Sequence, residues 1–121
     1  AEEKERKLKV ALHYLKKTFV SYASDDQIDV LCEDIICYVN KSDLNNLKSV
    51  IIKSDLSALD LLHFGWNIWN HFRISNQHNA AYFLKLVFAI PLKDMEVETI
   101  KKHLKDDELK GIIKIQEDLL K

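Results

Sequence analysis

The sequence predicts an all-α protein, a compact bundle of six to seven helices. Apolar residues recur at intervals of three and four along nearly the whole chain, the period of an amphipathic helix. Ser, Asp or Asn stands ahead of most of these runs, where it can cap a first turn. Only two glycines and one proline occur, too few for the tight turns of a β-rich fold.

The first helix carries Leu8, Leu12, Leu15, Phe19 and Tyr22 on one stripe, with Ala11 beside it. Lys7, Lys9, Lys16 and Lys17 fall largely off that stripe. Ser24 and Gln27 read as a capping box for the second helix, and Asp25 and Asp26 suit its dipole. Ile28, Leu31, Cys32, Ile35, Tyr38 and Val39 form its inner face, and Asn40, Lys41 and Ser42 end it. A short third helix is expected over Leu44, Leu47, Val50 and Ile51, with a β-branched end. Ser54 or Asp55 then caps a fourth, about 55–73, that is apolar almost all round: Leu56, Leu59, Leu62, Phe64, Trp66, Ile68, Trp69 and Phe72. A helix with no solvent face is central. Gly65 inside it permits a close crossing or a kink. After a connection at 74–77, with Ser75 or Asn76 as cap, a fifth helix is expected over about 77–90, with Pro91 ending it. It is the second central helix. Asp94 is the expected cap of a sixth, acidic at its start and basic at its end. A seventh is expected from Asp106 and Asp107, with Leu109, Ile112, Ile113, Gln116, Leu119 and Leu120 inward.

A chain of 121 residues, 47% hydrophobic, is one domain with a real core. Folding at this size buries roughly two-thirds of the unfolded surface. The chain begins at Ala1 rather than Met, which leaves room for a longer parent chain. A net charge of −1 gives no global field toward nucleic acid or anionic lipid. Residues 1–22 hold six Lys or Arg against three Glu, whereas 23–47 hold one Lys against six acids. Cys32 and Cys37 sit about 140° apart on a helix, so they cannot bond to each other. Two reduced thiols, no signal peptide and no long apolar run point to a cytoplasmic protein with no membrane contact.

Three constellations could carry function. His63, Asn67 and His71 fall at i, i+4 and i+8 on one face of the fourth helix, with Asp60 before them. The two histidines stand about 12 Å apart along the axis, too far for one ion, so no metal site is expected. The polar stripe reads instead as side chains that cap or bridge neighbouring helices. Next, residues 61–84 carry a single charge, Arg73, yet hold both tryptophans and three of the five histidines. Burial accounts for the apolar bulk of this stretch. It does not account for Asn67, Asn70, His71, Arg73 and the turn from Asn76 to Asn79. Trp69, Asn70, His71, Arg73, Asn76 and His78 are therefore the candidate partner-binding residues, since aromatics beside amide and guanidinium donors make protein hot spots. The last is the basic set Lys101, Lys102, His103 and Lys105, with Lys110 and Lys114 beyond. Lys101, Lys102 and Lys105 are the candidates for phosphate contact, although Glu96, Glu98, Asp106, Asp107 and Glu108 surround them.

Enzyme readings find no support. Gly65 and Gly111 are the only glycines, so no phosphate loop exists, and no nucleophile elbow or Cys–His signature appears. No catalytic residue and no cofactor is expected.

One run, FLKLVFAIPLKDMEVETIKK at residues 83–102, resembles the C-terminal segment of RteC-like regulators of Bacteroidetes conjugative elements. Val87, Phe88, Ile90 and Leu92 occupy the places of its VF-x-I-x-L motif, and the apolar helix before them fits too. The resemblance spans about 55–105. The sequence departs from the family in following Lys101 and Lys102 with Asp106, Asp107 and Glu108. The resemblance implies a cytoplasmic bacterial regulatory or accessory protein from a mobile element.

The leading expectation is thus a small non-enzymatic regulatory module. It would bind a protein partner through the Trp66–Asn79 region or the apolar flank of its terminal helices. The alternative is a nucleic-acid-binding regulator using its Lys-rich faces.

Overall fold

A computed structural model describes residues 2–41 and 44–120. Ser42, read above as part of a helix stop, lies outside them. The described residues form five α-helices and no strand: α1 (Glu2–Phe19), α2 (Asp25–Val39), α3 (Ala58–Phe72), α4 (Gln77–Val87) and α5 (Val97–His103). The all-α expectation holds. The count of six to seven helices does not, because two expected helices are absent.

The expected third helix is one 3₁₀ turn, Leu44–Asn46, followed by chain without regular structure. Its backbone finds partners elsewhere. The Val50 N–H donates to the Val87 carbonyl at 2.9 Å and the Lys53 N–H to that of Tyr22 at 2.7 Å. The Ile51 N–H donates to Gln27 Oε1 at 2.7 Å. Gln27 is therefore not the second half of a capping box. Ser24 does cap α2, accepting from the Gln27 N–H at 3.2 Å, while the Gln27 side chain ties α2 to the stretch at Ile51. The β-branched run Val50, Ile51, Ile52 favours this outcome.

The expected seventh helix is also missing. Residues 104–120 are irregular. Gly111 has φ +87° and Asp107 φ +51°, two left-handed residues that break any helical run. Of the residues expected inward, Ile113 and Leu119 are buried, but Leu109, Ile112 and Leu120 are 86%, 53% and 79% exposed.

Several boundaries shift. The N-cap of α3 is Ser57, not Ser54 or Asp55, because Asp60 closes a reciprocal capping box with Ser57. Asn76 caps α4 by accepting the Asn79 N–H at 2.9 Å. That helix ends at Val87, short of 90. α5 starts at Val97, after Glu96 rather than Asp94. Lys85 holds the intervening turn, its ammonium donating to the carbonyls of Leu92, Lys93 and Met95 at 3.0, 3.0 and 2.6 Å.

α3 is the central helix, with ten of its fifteen residues buried. α4 packs against both α3 and α5, and α1 against α2 and α3. Three fully buried rings lock α1, α3 and the turn after α4 together. Phe19 meets Phe64 edge-on at 5.0 Å, and Phe88 lies 6.1 Å from Phe64 and 6.0 Å from Phe19. Gly65 sits where α3 meets α4. A Cβ there would lie 2.2 Å from Leu84 Cδ1, so the glycine permits a close crossing. Cys32 is buried, Cys37 partly so, and both are free thiols.

Candidate functional site

The polar face of α3 holds down the C-terminal segment 104–120. Asp60, His63, Asn67 and Asn70 recur at intervals of three and four, so they share one side of the helix. Each clasps backbone from the segment. Asp60 Oδ1 accepts from the Ile112 and Ile113 N–H groups at 2.7 and 3.0 Å. The His63 ring, fully buried, has Nδ1 2.7 Å from the Ile113 carbonyl and Nε2 2.5 Å from that of Asp106. A neutral imidazole can donate to only one of these; donation to both requires the second ring proton. Asn67 works at both ends of its amide. It donates to the Lys114 carbonyl at 2.9 Å and to Tyr14 Oη at 2.8 Å, and accepts from the Gln116 N–H at 2.7 Å. Asn70 donates to the Glu117 carbonyl at 3.2 Å.

This arrangement explains how a segment without helix satisfies its backbone. Buried backbone polar groups need partners. Here α3 side chains supply them in place of a helical ladder. Gly111 completes the fit: a Cβ there would lie 2.6 Å from Asp60 Oδ1.

Two carboxylates are displaced in opposite directions. Burial acts to raise the Asp60 carboxyl. The N–H donors of Ser57, Ile113 and Ile112 and the Ser57 hydroxyl together overcome it and hold the group below its ordinary value. Asp34 on α2 is pushed up to about 6, chiefly by burial and further by Glu33. Its Oδ1 accepts from the Lys48 N–H at 2.9 Å, and its buried Oδ2 has no hydrogen-bond partner among the described residues.

The candidate partner-binding residues are mostly occupied by contacts within the molecule. The half-buried Trp69 indole donates to the Ser75 carbonyl at 2.8 Å. His71 Nε2 donates to the Lys7 carbonyl of α1 at 2.8 Å. Asn76 is the α4 cap, and exposed His78 pairs with Glu98 of α5 at 3.0 Å. Arg73 is exposed and takes a left-handed conformation, φ 49°, at the end of α3. Its guanidinium lies 4.1 Å over the Trp69 ring, and its Nε and Nη2 both donate to Asn70 Oδ1. Trp66 is buried. His63, Asn67, Asn70, His71 and Asn76 therefore serve as internal caps and bridges, as expected for His63, Asn67 and His71. Among the described residues no group of three or more His, Cys, Asp or Glu could hold a metal ion. No helix among them is long and apolar enough to cross a membrane.

The basic set divides. Lys101 and Lys102 are exposed on α5. Lys105 instead lies 4.6 Å over the Trp66 ring and approaches Glu108 and Glu117, each at 3.6 Å. His103 is paired with Asp106.

A feature the periodicity did not reveal lies on the outer side of the C-terminal segment. A groove of about 380 Å³ runs between α1 and this segment, with Tyr14, Ile113 and Leu119 among its lining and Ile112 and Leu120 at its exposed edge. Helical phasing from Asp106 turned these last two inward. The signal against that phasing was Gly111, in the middle of the supposed helix. No protein-family model matches the chain, and no curated protein or solved structure matches it either.

Proposed function

We propose that this protein is a small non-enzymatic module that binds a protein partner through its C-terminal face. One observation carries this reading. Leu109, Ile112 and Leu120, three large apolar side chains, are exposed on a segment whose backbone is fastened to α3. Water-facing apolar groups on a fixed frame suit recognition, because little ordering entropy is lost when they are covered. The expectation of a partner surface on the apolar flank of the terminal elements is retained. The Trp66–Asn79 stretch becomes the support behind it. The resemblance of residues 55–105 to RteC-like regulators adds a regulatory role in the bacterial cytoplasm, on a mobile element.

The nucleic-acid reading is weaker, since Lys105 is engaged with Trp66, Glu108 and Glu117, and among the described residues of that helix end Lys101 and Lys102 are left without an ion pair. Photo-crosslinking in extract of the source cells tests the main reading. A crosslinker at position 112 should give a discrete protein adduct that Leu120→Ser abolishes, and one at position 90 should not. Equal adducts from both positions, or none from 112, would count against it.

A further inference from the structure

The partner's chemistry can be narrowed, on the reading that the C-terminal face is the binding surface. We infer that the groove between α1 and the C-terminal segment takes an acidic amphipathic segment of another protein. Its apolar side chains would cover Ile112 and Leu120, and its carboxylates would meet His13, Lys17 and Lys114.

Charge complementarity points to this occupant. His13 and Lys17 lie one turn apart on α1 and line one wall of the groove, and Lys114 lines the other. Lys9 continues the same α1 row one turn earlier. Among the described residues no acidic side chain lines the groove, although acids slightly outnumber bases in the chain. No ion pair engages Lys9, Lys17 or Lys114 among the described residues. The Lys114 ammonium donates to the neutral Gly111 carbonyl at 2.7 Å. The nearby acids of the segment are turned to other tasks. Glu117 faces Lys105, and Asp118 Oδ1 accepts the Leu120 N–H at 2.9 Å. The groove thus joins basic groups without acidic partners to an exposed apolar edge. Phosphate backbone would satisfy the first and leave Ile112 and Leu120 in water. A neutral apolar helix would do the reverse. An acidic amphipathic segment satisfies both.

The test is selection from a random-peptide display library on the immobilised full chain, followed by affinity measurement with the enriched peptides. Enrichment of peptides combining Asp or Glu with Leu, Ile or Phe is expected. Their affinity should fall at least tenfold in a Lys17→Glu/Lys114→Glu variant and fall steeply with added salt. A Lys101→Glu/Lys102→Glu variant should bind them as the unaltered chain does, which controls for bulk charge. Enriched peptides that are neutral or basic, or unaffected by Lys17→Glu/Lys114→Glu, overturn the inference. If they still require Ile112 and Leu120, the C-terminal face remains the binding surface. No enrichment sinks both. A single-stranded DNA oligonucleotide that binds and is lost on charge reversal, with no acidic peptide enriched, would assign the groove to nucleic acid.

Discussion

The two sides of α3 hold their neighbours by different physics. Toward α4 the contact is apolar and close: Gly65 lets Leu84 approach, and a methyl group there would fit only if Leu84 moved. Toward the C-terminal segment the contact is polar: four side chains satisfy backbone that forms no helix of its own. The apolar side depends on shape and area, and its failure is spread over the whole core. The polar side depends on individual donors and acceptors, and the loss of one leaves a specific group buried and unpaired. The first is the scaffold. The second displays the C-terminal face.

The largest expected effect comes from the residue that serves both the helix and the segment. Asp60→Ala removes the reciprocal cap of α3 and both bonds to Ile112 and Ile113, and should cost about 3 kcal/mol in chemical denaturation. Two further substitutions separate the sides. Gly65→Ala forces Leu84 to shift and should cost about 2 kcal/mol. In hydrogen exchange it should lower the protection of α3 and α4 while leaving local opening of the C-terminal segment unchanged. Asn67→Ala should cost about 2 kcal/mol, with the Gln116 amide exchanging faster and the α4 amides little altered. Identical exchange patterns in the two variants would refute the division.

Acid separates the regions in another way. Asp60 is held below its ordinary value, so its stabilisation is present above the unfolded carboxylate range and lost as pH falls through its folded value. Asp34, raised to about 6, does the opposite. The folded state gains protons relative to the unfolded between the ordinary value of 3.8 and about 6, so stability declines as pH rises through that window. Asp34→Asn should therefore raise stability at pH 7 by on the order of 1 kcal/mol, discounted for solvent screening, and flatten the profile between pH 4 and 6. An unchanged profile would show that Asp34 is not the titrating group. The smallest effect is expected at Arg73. It is exposed and its contacts are peripheral, so Arg73→Ala should change the melting free energy by less than about 0.5 kcal/mol.

Much of the helical scaffold was legible because periodicity and caps report local physics. Ser24 announced α2, and the inner face from Ile28 to Val39 is buried as its spacing required. Asn76 announced α4. The stripe at His63, Asn67 and His71 was rightly read as bridging, since eight residues separate its ends. What it bridges to was not legible. Two of the three reach a segment some fifty residues away that was itself phased as a helix. The misreadings at 44–51 and 106–120 share a cause. Both segments carry apolar residues at helical spacing, but their backbone groups are satisfied by distant partners: Gln27, Asp34 and Val87 in one case, Asp60, His63 and Asn67 in the other.

The sequence by itself determined that the chain is helical and, to within a few residues at their ends, where the five helices of the described residues run, because helix formation turns on neighbours within four residues. It also determined that a central helix would be apolar nearly all round. Only the tertiary structure decided that the polar residues of that helix support its C-terminal neighbour and that Leu109, Ile112 and Leu120 face outward. That outcome rests on hydrogen bonds between residues about fifty apart, and nothing in local spacing encodes them.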